Sequence, residues 1–326
     1  MINGSNLKNN AEVCMKKNIL ILIGLFCFTA ALFSAEKIAV VKSASLATYD
    51  VAIDGFKESI LMAGIKNEIE IYDMKGDDNI AKEIIEQIKN DKNIKLIFTL
   101  GARASDMIAS EIKDIPIIFS YVLNWKNYPS LKQKNVTGIE FEIPPNITLT
   151  LFKMLAPDIK KIGIIYNEKN SMEIVKEITK ECENNNLILI TENISSPSKI
   201  KSAFKNLLKQ NINAFWFIAD PILTQDRKQF SELIENCNKE KLFTITVTEK
   251  LVELFGVLFA VAPDYKTIGS QAGSLVQNII LNNKSIVDLP VETPMGTVNV
   301  LNKKTSDSIG LTINDFLIRM FNNVYE

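Results

Sequence analysis

Histidine is absent from all 326 residues, and this absence removes the commonest general base, the Ser-His-Asp arrangement and most zinc sites. Phosphate-binding GxxxxGK[ST] loops, GxGxxG turns after a strand and CxxC pairs are also missing. Carboxylates alone can cleave glycosides, but no acidic pair stands out from the many Glu/Lys helix faces. The sequence therefore predicts a protein that is not an enzyme and that uses no metal or cofactor.

Arginine is scarce. The chain carries most of its positive charge on lysine and has only three arginines: Arg103, Arg227 and Arg319. The net charge is −1, and the lysines are dispersed rather than clustered. This pattern lacks the basic surface of a nucleic-acid binder, so no nucleic-acid partner is expected. With 47% hydrophobic and 23% charged residues, the chain is long enough for two ordinary domains.

Long apolar runs are confined to the beginning of the chain. Residues 15–35 combine two lysines, the apolar run Ile19–Phe33 and the small residues Ser34 and Ala35, which is typical of a signal peptide. Met15 then becomes the expected start, with Met1 as the alternative. The run is shorter than the ~20 residues that span a bilayer. A membrane anchor and a lipoprotein modified at Cys27 are the alternatives, and each predicts an exported protein, periplasmic or tethered to the outer face of the membrane.

Cysteine is nearly absent from the rest of the chain. Only Cys182 and Cys237 follow the leader, and each falls in a predicted helix. A single pair makes no disulfide framework, so both are interpreted as packing residues, while pairing between them stays open.

Short apolar segments alternate with amphipathic helical segments along the remaining chain. The predicted strands are Ile38–Val41, Glu68–Tyr72, Leu96–Thr99, Ile115–Phe119, Ile162–Tyr166, Leu187–Ile190, Ala214–Ile218 and Phe243–Thr246. The predicted helices are Tyr49–Ala63, Ile80–Asn90, Ala102–Glu111, Ile147–Leu155, Met172–Asn184, Ser198–Lys209 and Gln225–Lys239. Alternating βαβ units with continuous apolar strands predict an α/β fold with doubly wound parallel sheets covered by helices.

The segment "NYPSLKQKNVTGIEFEIPPN", Asn127–Asn146, interrupts this alternation with three prolines and no helical period. We interpret it as the crossing between two lobes. Ligands of such sheets lie beyond the carboxyl ends of the strands, so two facing lobes would enclose one cleft. Export, two lobes and no catalytic machinery together indicate a solute-binding protein.

The sequence resembles a known protein family across nearly all of the chain that follows the leader. The similar segments are "VAIDGFKESI", "KDIPIIFS", "NVTGI", "LAPDIKKIGIIYN", "YKTIGSQAGSLVQNII", "LPVETP" and "SDSIGLTINDFLI". In their order and spacing they resemble the substrate-binding proteins of ABC transporters with the type I periplasmic binding fold, in the group that includes tryptophan- and tyrosine-type binders.

The resemblance implies more than one crossing between the lobes, joined by a multi-strand hinge, whereas the residues by themselves indicate a single crossing. After the upstream extension and signal peptide (1–35), the first lobe would comprise residues 36–138 plus about 263–290. The second lobe would comprise residues 139–262 plus about 291–326.

The function implied is delivery of a small organic solute, an amino acid and possibly an aromatic one, to an ABC permease of the inner membrane. The protein would act as a monomer, and ligand would shift its population toward a closed form. The alternative is an exported sensing module of the same fold that acts with a receptor.

Candidate ligand contacts in the first lobe follow the ends of its strands. Small and polar residues there can donate to a ligand carboxylate or cap a helix, and both interpretations stay open. Gly101 opens a strand–helix turn that resembles the family's ligand loop, and Arg103 could bind a carboxylate there. The candidates are Ser43, Ser45, Thr99, Gly101, Ala102, Arg103, Ser120, Tyr121 and Asn124, the last standing where the family commonly has aspartate.

Candidate contacts in the second lobe also stand at strand ends. Asn167 and Asp220 match the family's strand-end asparagine and aspartate. Asp220 is the expected partner of a ligand amine, and capping of the following helix is the competing interpretation. Thr246, Thr248 and Asp264 complete the set, and Asp264 could equally cap a helix.

Overall fold

The computed structural model describes residues 35–326. The predicted signal peptide, apart from Ala35, lies outside the described residues, as do Cys27 and both candidate start positions. Within the described part of the chain, no helix is long and apolar enough to cross a membrane.

The first sheet has five parallel strands in the order β2-β1-β3-β4-β5. Its strands are β1 (Lys37–Lys42), β2 (Glu68–Asp73), β3 (Ile94–Leu100), β4 (Ile117–Ser120) and β5 (Val136–Gly138). Its first three helices are α1 (Ala47–Met62), α2 (Asp78–Asn90) and α3 (Ala102–Glu111). Because helices cover both faces, central strands such as β3 are buried on both sides, which explains the continuous apolar run "LIFTL".

The second sheet has seven strands in the order β12-β11-β10-β9-β8-β6-β7. Its strands are β6 (Lys161–Tyr166), β7 (Ile188–Asn193), β8 (Ala214–Phe217), β9 (Phe243–Thr246), β10 (Phe259–Pro263), β11 (Thr297–Asn302) and β12 (Asn323–Tyr325). The helices of this half are α4 (Pro145–Leu155), α5 (Glu168–Asn184), α6 (Ile200–Lys209), α7 (Pro221–Gln225), α8 (Arg227–Lys239), α9 (Glu249–Phe255), α11 (Lys303–Ile309) and α12 (Asp315–Ile318). All neighbouring strands are parallel except β10 and β11, which run antiparallel.

One helix of the C-terminal part returns to the first sheet. Helix α10 (Tyr265–Ile280) packs along α1, although more than 200 residues separate the two in the sequence. A Cβ atom added at Gly55 would overlap the carbonyl of Lys266, and one added at Gly269 would overlap the carbonyl of Ala52. Both glycines are therefore required by the close approach of the two helix backbones.

Three chain segments connect the first sheet with the second, and they lie side by side. The first follows β5, the second joins β10 to α10, and the third precedes β11. Glu140 N donates to Glu292 O at 2.8 Å, and Glu292 N donates to Gly138 O at 2.9 Å. Asp264 N donates to Gly296 O at 3.0 Å, which ties the second segment to the third.

The predicted α/β class with two helix-covered, mostly parallel sheets is confirmed. The elements that sequence periodicity did not predict are β5, β10, β11, β12, α7, α9, α10, α11 and α12, all of which except α10 are short. The antiparallel β10–β11 pair also departs from the expected all-parallel pattern. Cys182 and Cys237 are buried free thiols in different apolar clusters of the second half, so they do not pair.

Candidate functional site

The turn between β3 and α3 is filled by the protein's own side chains. Gly101 has φ of +93°, and a Cβ there would overlap Tyr49 Oη and Ser43 Oγ. Ser43 Oγ accepts from Ala104 N at 2.9 Å, so it caps the start of α3. Thr99 Oγ1 lies 2.9 Å from Ser105 Oγ, which itself donates to the Gly101 carbonyl. The N–H groups that sequence reasoning offered to a ligand anion are thus partly occupied.

Arg103, in the first turn of α3, contacts the loop that follows β2. Its guanidinium donates to the Gly76 carbonyl and lies 3.2 Å from Asp78 Oδ1, and the side chain is 42% exposed. Ser45 lies on the same rim, where its hydroxyl donates to Asp73 Oδ2 at 2.6 Å. Both side chains contact loops of their own sheet.

The end of β4 contributes an aromatic stack. Tyr121 has φ of +61° and donates its hydroxyl to Thr48 O at 2.8 Å. Its ring lies 4.8 Å from that of Phe141 and 5.6 Å from that of Tyr265 (centroid distances). Burial raises the pKa of Tyr121 far above that of a free phenol. Ser120, next to it, is buried, and its hydroxyl finds no partner within the described residues.

Asp220, at the end of β8, is a structural carboxylate. It is 1% exposed and accepts hydrogen bonds from Asn167 N at 2.7 Å, Ser171 Oγ at 2.8 Å and Ile222 N at 2.8 Å. It therefore caps α7 and joins the end of β6 to the end of β8. Asn167 turns its side chain toward Ile194 O, at 2.6 Å.

Asp264 and Thr246 also make local hydrogen bonds. Asp264 caps α10 by accepting from Lys266 N at 3.0 Å and from Thr267 Oγ1 at 2.7 Å. Thr246 Oγ1 accepts from Thr248 N at 3.4 Å. Capping, which the sequence left open beside ligand contact, accounts for the backbone hydrogen bonds of Asp264 and for one of the three hydrogen bonds of Asp220.

A cavity of about 180 Å³ lies where the first two connecting segments meet the second sheet. Three kinds of wall surround it: apolar side chains of the second half, two aromatic rings of the connecting segments, and one carboxylate. The lining residues are Leu123, Asn124, Phe141, Glu142, Ile143, Pro145, Ile174, Ile178, Trp216, Ile218, Ala219, Val247, Thr248, Pro263 and Tyr265. Such a mainly apolar cavity with few polar groups is typical of a small-molecule site.

Glu142 is the charged group of this cavity. Its Oε1 accepts from Asn124 N, and the backbone of Asn124 is left-handed, with φ of +51°. Burial raises the pKa of Glu142, and the charges of Glu140 and Glu177 raise it further, whereas backbone N–H donors lower it. The carboxylate thus lies in a place where its negative charge is poorly compensated.

A second, smaller cavity of about 50 Å³ adjoins the first and shares Asn124, Glu142 and Ile174 with it. Here Lys126 Nζ lies 3.7 Å from Glu140 Oε1 and 3.8 Å from Glu177 Oε1. Trp125 also donates its indole N–H to Glu140 at 2.9 Å. The Lys126–Glu177 pair joins the segment between β4 and β5 to α5 beside this cavity.

Of the residues predicted from the sequence, Asn124 and Thr248 line the larger cavity, and Tyr121 supports its aromatic wall. The remaining predicted residues do not line it. Sequence reasoning missed Phe141, Glu142 and Tyr265 as site residues. The available signal was the pair "FE" inside a segment already assigned to the crossing, together with a tyrosine directly after Asp264. No group of three or more metal-ligating side chains occurs among residues 35–326.

Comparisons with known proteins agree with this architecture. Residues 37–324 match the sequence profile of the family described as ABC transporter substrate binding protein. A protein named tyrosine-binding protein, from Clostridioides difficile strain R20291, is 27% identical over 273 residues, which is 80% of this chain and 77% of the relative.

Two solved structures share the fold. A ligand-free, open substrate binding protein with adhesive properties from Clostridium difficile has a TM-score of 0.75 and 21% identity, covering 89% of this chain and 99% of its own. A complex with L-Trp from Streptococcus pneumonia has a TM-score of 0.66 and 23% identity, covering 89% of this chain and all of its own. The family profile spans nearly all of the described residues. This chain therefore belongs to the ABC transporter substrate binding protein family.

Proposed function

We propose that the protein binds an amino acid with an aromatic side chain outside the cytoplasm and delivers it to an ABC permease. The observation that carries this proposal is the cavity between the connecting segments and the second sheet. It offers ring faces from Phe141 and Tyr265, an apolar floor and one carboxylate. These groups match an aromatic side chain and an ammonium group. The name of the tyrosine-binding relative and the L-Trp complex support the same ligand class.

The mechanism we propose is closure of two lobes about the three connecting segments. The first lobe comprises residues 36–138 and about 263–290, and the second comprises the rest of the described chain. Because the cavity takes its walls from Leu123 and Asn124 of the first lobe, from the connecting segments and from the second lobe, a bound ligand contacts groups on both sides of the hinge. Ligand then shifts the population toward a closed form that a permease recognises. Binding and release suffice for this role, and no catalytic step belongs to it.

A thermal-shift screen of purified residues 36–326 tests the proposal. The probes are L-tyrosine, L-tryptophan, L-phenylalanine, L-leucine, uridine and glucose. A ligand at a hundredfold excess over its Kd stabilises the folded state by about 2.7 kcal/mol, which produces a clear rise in Tm. A response confined to aromatic amino acids supports the proposal, whereas a response to glucose or uridine alone overturns the ligand class. Permease and ATPase genes beside this one would favour transport over the sensing role.

A further inference from the structure

The larger cavity contains a single charged side chain among its described lining residues, and that side chain is Glu142. All other lining residues are apolar, aromatic or neutral polar. The one hydrogen bond that Glu142 receives from another residue comes from the backbone of Asn124. A carboxylate has two oxygens and about four acceptor positions, so most of its capacity is unused. In a mainly apolar cavity, such a group attracts a cation or a strong donor.

The surroundings of Glu142 reinforce this negative charge. The smaller cavity beside it carries Glu140 and Glu177, with Lys126 as the cation among its lining residues, whereas its third glutamate, Glu173, is paired with Lys176. Lys126 makes ion pairs with Glu140 and Glu177 rather than with Glu142. Several carboxylates around one lysine leave the mouth of the cavity negative, which favours entry of a positively charged ligand.

The turn between β3 and α3, where a ligand carboxylate was expected to bind, offers few free hydrogen-bond donors. The turn at the start of α3 is occupied by Ser43 and Tyr49, and Arg103, which does not line the larger cavity, makes its ion pair with Asp78. Within the described lining of the larger cavity there is no lysine or arginine. A bound amino acid would therefore have an ionic partner for its ammonium group and none for its carboxylate.

We infer that Glu142 binds the ammonium group of the ligand, and that this contact, rather than recognition of a carboxylate, determines what the cavity accepts. The inference rests on the proposed function and goes further, because it makes the amine indispensable and the carboxylate dispensable. Phe141 and Tyr265 supply the faces on which the ligand ring packs, and they also surround a nearby cation favourably. An aryl-alkyl amine without a carboxylate meets these requirements as well as an amino acid does.

A ligand series on the unaltered protein gives the first test. Affinities are measured by isothermal titration calorimetry at pH 7.5 for L-tyrosine, tyramine and 3-(4-hydroxyphenyl)propionate. Tyramine, which lacks the carboxylate, should bind within about tenfold of L-tyrosine. The propionate, which lacks the amine, should bind at least about tenfold more weakly, since it loses a charge-assisted hydrogen bond. If the propionate binds as tightly as L-tyrosine, the inference is wrong.

Two variants give the second test. Glu142→Gln keeps the shape of the side chain and the acceptor for Asn124 N but removes the charge, so Kd for L-tyrosine and tyramine should rise at least about tenfold. Glu173→Gln removes a charge from α5 at the smaller cavity and should change Kd by about twofold or less. Circular dichroism checks that both variants are folded. Equal affinity in Glu142→Gln and the parent protein contradicts the inference.

The dependence of affinity on pH is a further readout. Charged and titratable groups face Glu142 from three sides: Glu140 on its own segment, Lys126 and Tyr265 on neighbouring segments, and Glu173 and Glu177 on α5. Burial raises the pKa of Glu142, so it takes up a proton before an ordinary glutamate does as the pH falls. Tyramine affinity should therefore fall on acidification in the parent protein and change much less in Glu142→Gln.

The outcomes separate this inference from the proposed function. If the parent protein binds L-tyrosine and Glu142→Gln binds it equally well, the proposed function is supported and the inferred role of Glu142 is wrong. If tyramine binds and no amino acid does, the amino-acid assignment falls, and the titration of Glu142→Gln with tyramine decides the role of Glu142. If none of L-tyrosine, L-tryptophan, L-phenylalanine and tyramine binds the parent protein, both are wrong.

Discussion

Asp220 and Glu142 are two carboxylates removed from bulk water, and they differ in how many hydrogen bonds the protein donates to them. Asp220, at the end of β8, accepts hydrogen bonds from two backbone N–H groups and one hydroxyl. Glu142, in the connecting segment after β5, receives one from Asn124 N and faces a cavity. Both are acidic residues near the space between the sheets, and a sequence pattern alone does not distinguish them.

The difference shows how to separate a structural carboxylate from one available to a ligand. Hydrogen bonds within the protein compensate the charge of Asp220, so a ligand amine could gain little by displacing them. The charge of Glu142 is under-compensated, and nearby glutamates increase its cost. A protein keeps such a costly group where something else completes its interactions.

The largest expected effect is the loss of stability in Asp220→Ala. The substitution leaves Asn167 N, Ile222 N and the Ser171 hydroxyl without their acceptor, two of them at strand–helix junctions of the second sheet. We expect the free energy of unfolding to fall by about 3 kcal/mol or more. Urea denaturation followed by circular dichroism measures it.

A matched control is Asp77→Ala, which removes an exposed helix cap that accepts from Asn79 N and Ile80 N. That loss should be about 1 kcal/mol. If Asp220→Ala proved no more destabilising than Asp77→Ala, the structural role of Asp220 would have to be abandoned.

An intermediate effect, of opposite sign, is expected for Glu142→Gln in the absence of ligand. The folded-state pKa of Glu142 is raised, so its protonation stabilises the fold at low pH, and this contribution disappears as the pH rises through that raised pKa. The variant never bears this charge. At pH 8 it should therefore be more stable than the parent protein, by about 1–2 kcal/mol.

The comparison is made from urea midpoints of the two proteins at pH 4 and pH 8. The difference between them should be small at pH 4, where Glu142 is largely protonated, and larger at pH 8. A variant that is less stable than its parent at pH 8 would show that Glu142, like Asp220, is satisfied within the protein.

The smallest expected effect is that of Lys126→Met. The Lys126 side chain is 55% exposed and its ion pairs are long, at 3.7 and 3.8 Å, so its loss should change stability by no more than about 0.5 kcal/mol. Removing the cation makes the mouth of the cavity more negative. Tyramine affinity should rise about twofold at low salt, and the gain should vanish in 0.5 M NaCl. A fall in tyramine affinity would mean that Lys126 itself organises the site.

The fold was largely predictable because its central strands are buried on both faces. Segments such as "LIFTL" in β3 and "AFWF" in β8 are continuous apolar runs, and amphipathic helices separate them. Of the missed strands, β5 and β10 are also buried, whereas β11 and β12 are of another kind. β11 has a half-buried first part and β12 has three residues, so neither carries a clear period. The number of crossings between the lobes depends on which sheet each strand joins. Local sequence periodicity carries no information about that choice.

The candidate site was less predictable, for a physical reason. The partner of Ser43 is Ala104 N, 61 residues away, so nothing local indicates that Ser43 caps a distant helix. An aspartate before a helix, as at Asp264, has the same sequence pattern whether it caps the helix or contacts a ligand. Glu142 lies in a proline-rich segment, and a charged side chain in such a segment is usually exposed to solvent. Its cavity appears only when walls from distant parts of the chain come together.

The packing of α10 on α1 also sets an order of folding. One side of α1, at Ala52, Gly55 and the backbone of Phe56, is covered by a helix that ends at residue 280. A chain emerging from the ribosome has made every strand of the first sheet by residue 138, yet this face stays uncovered until α10 has been synthesised. Contacts of such long sequence separation form slowly. The first sheet is therefore synthesised early, but its packing is complete only after α10 has been made. A truncated chain that ends before residue 264 should aggregate and be readily digested by proteases.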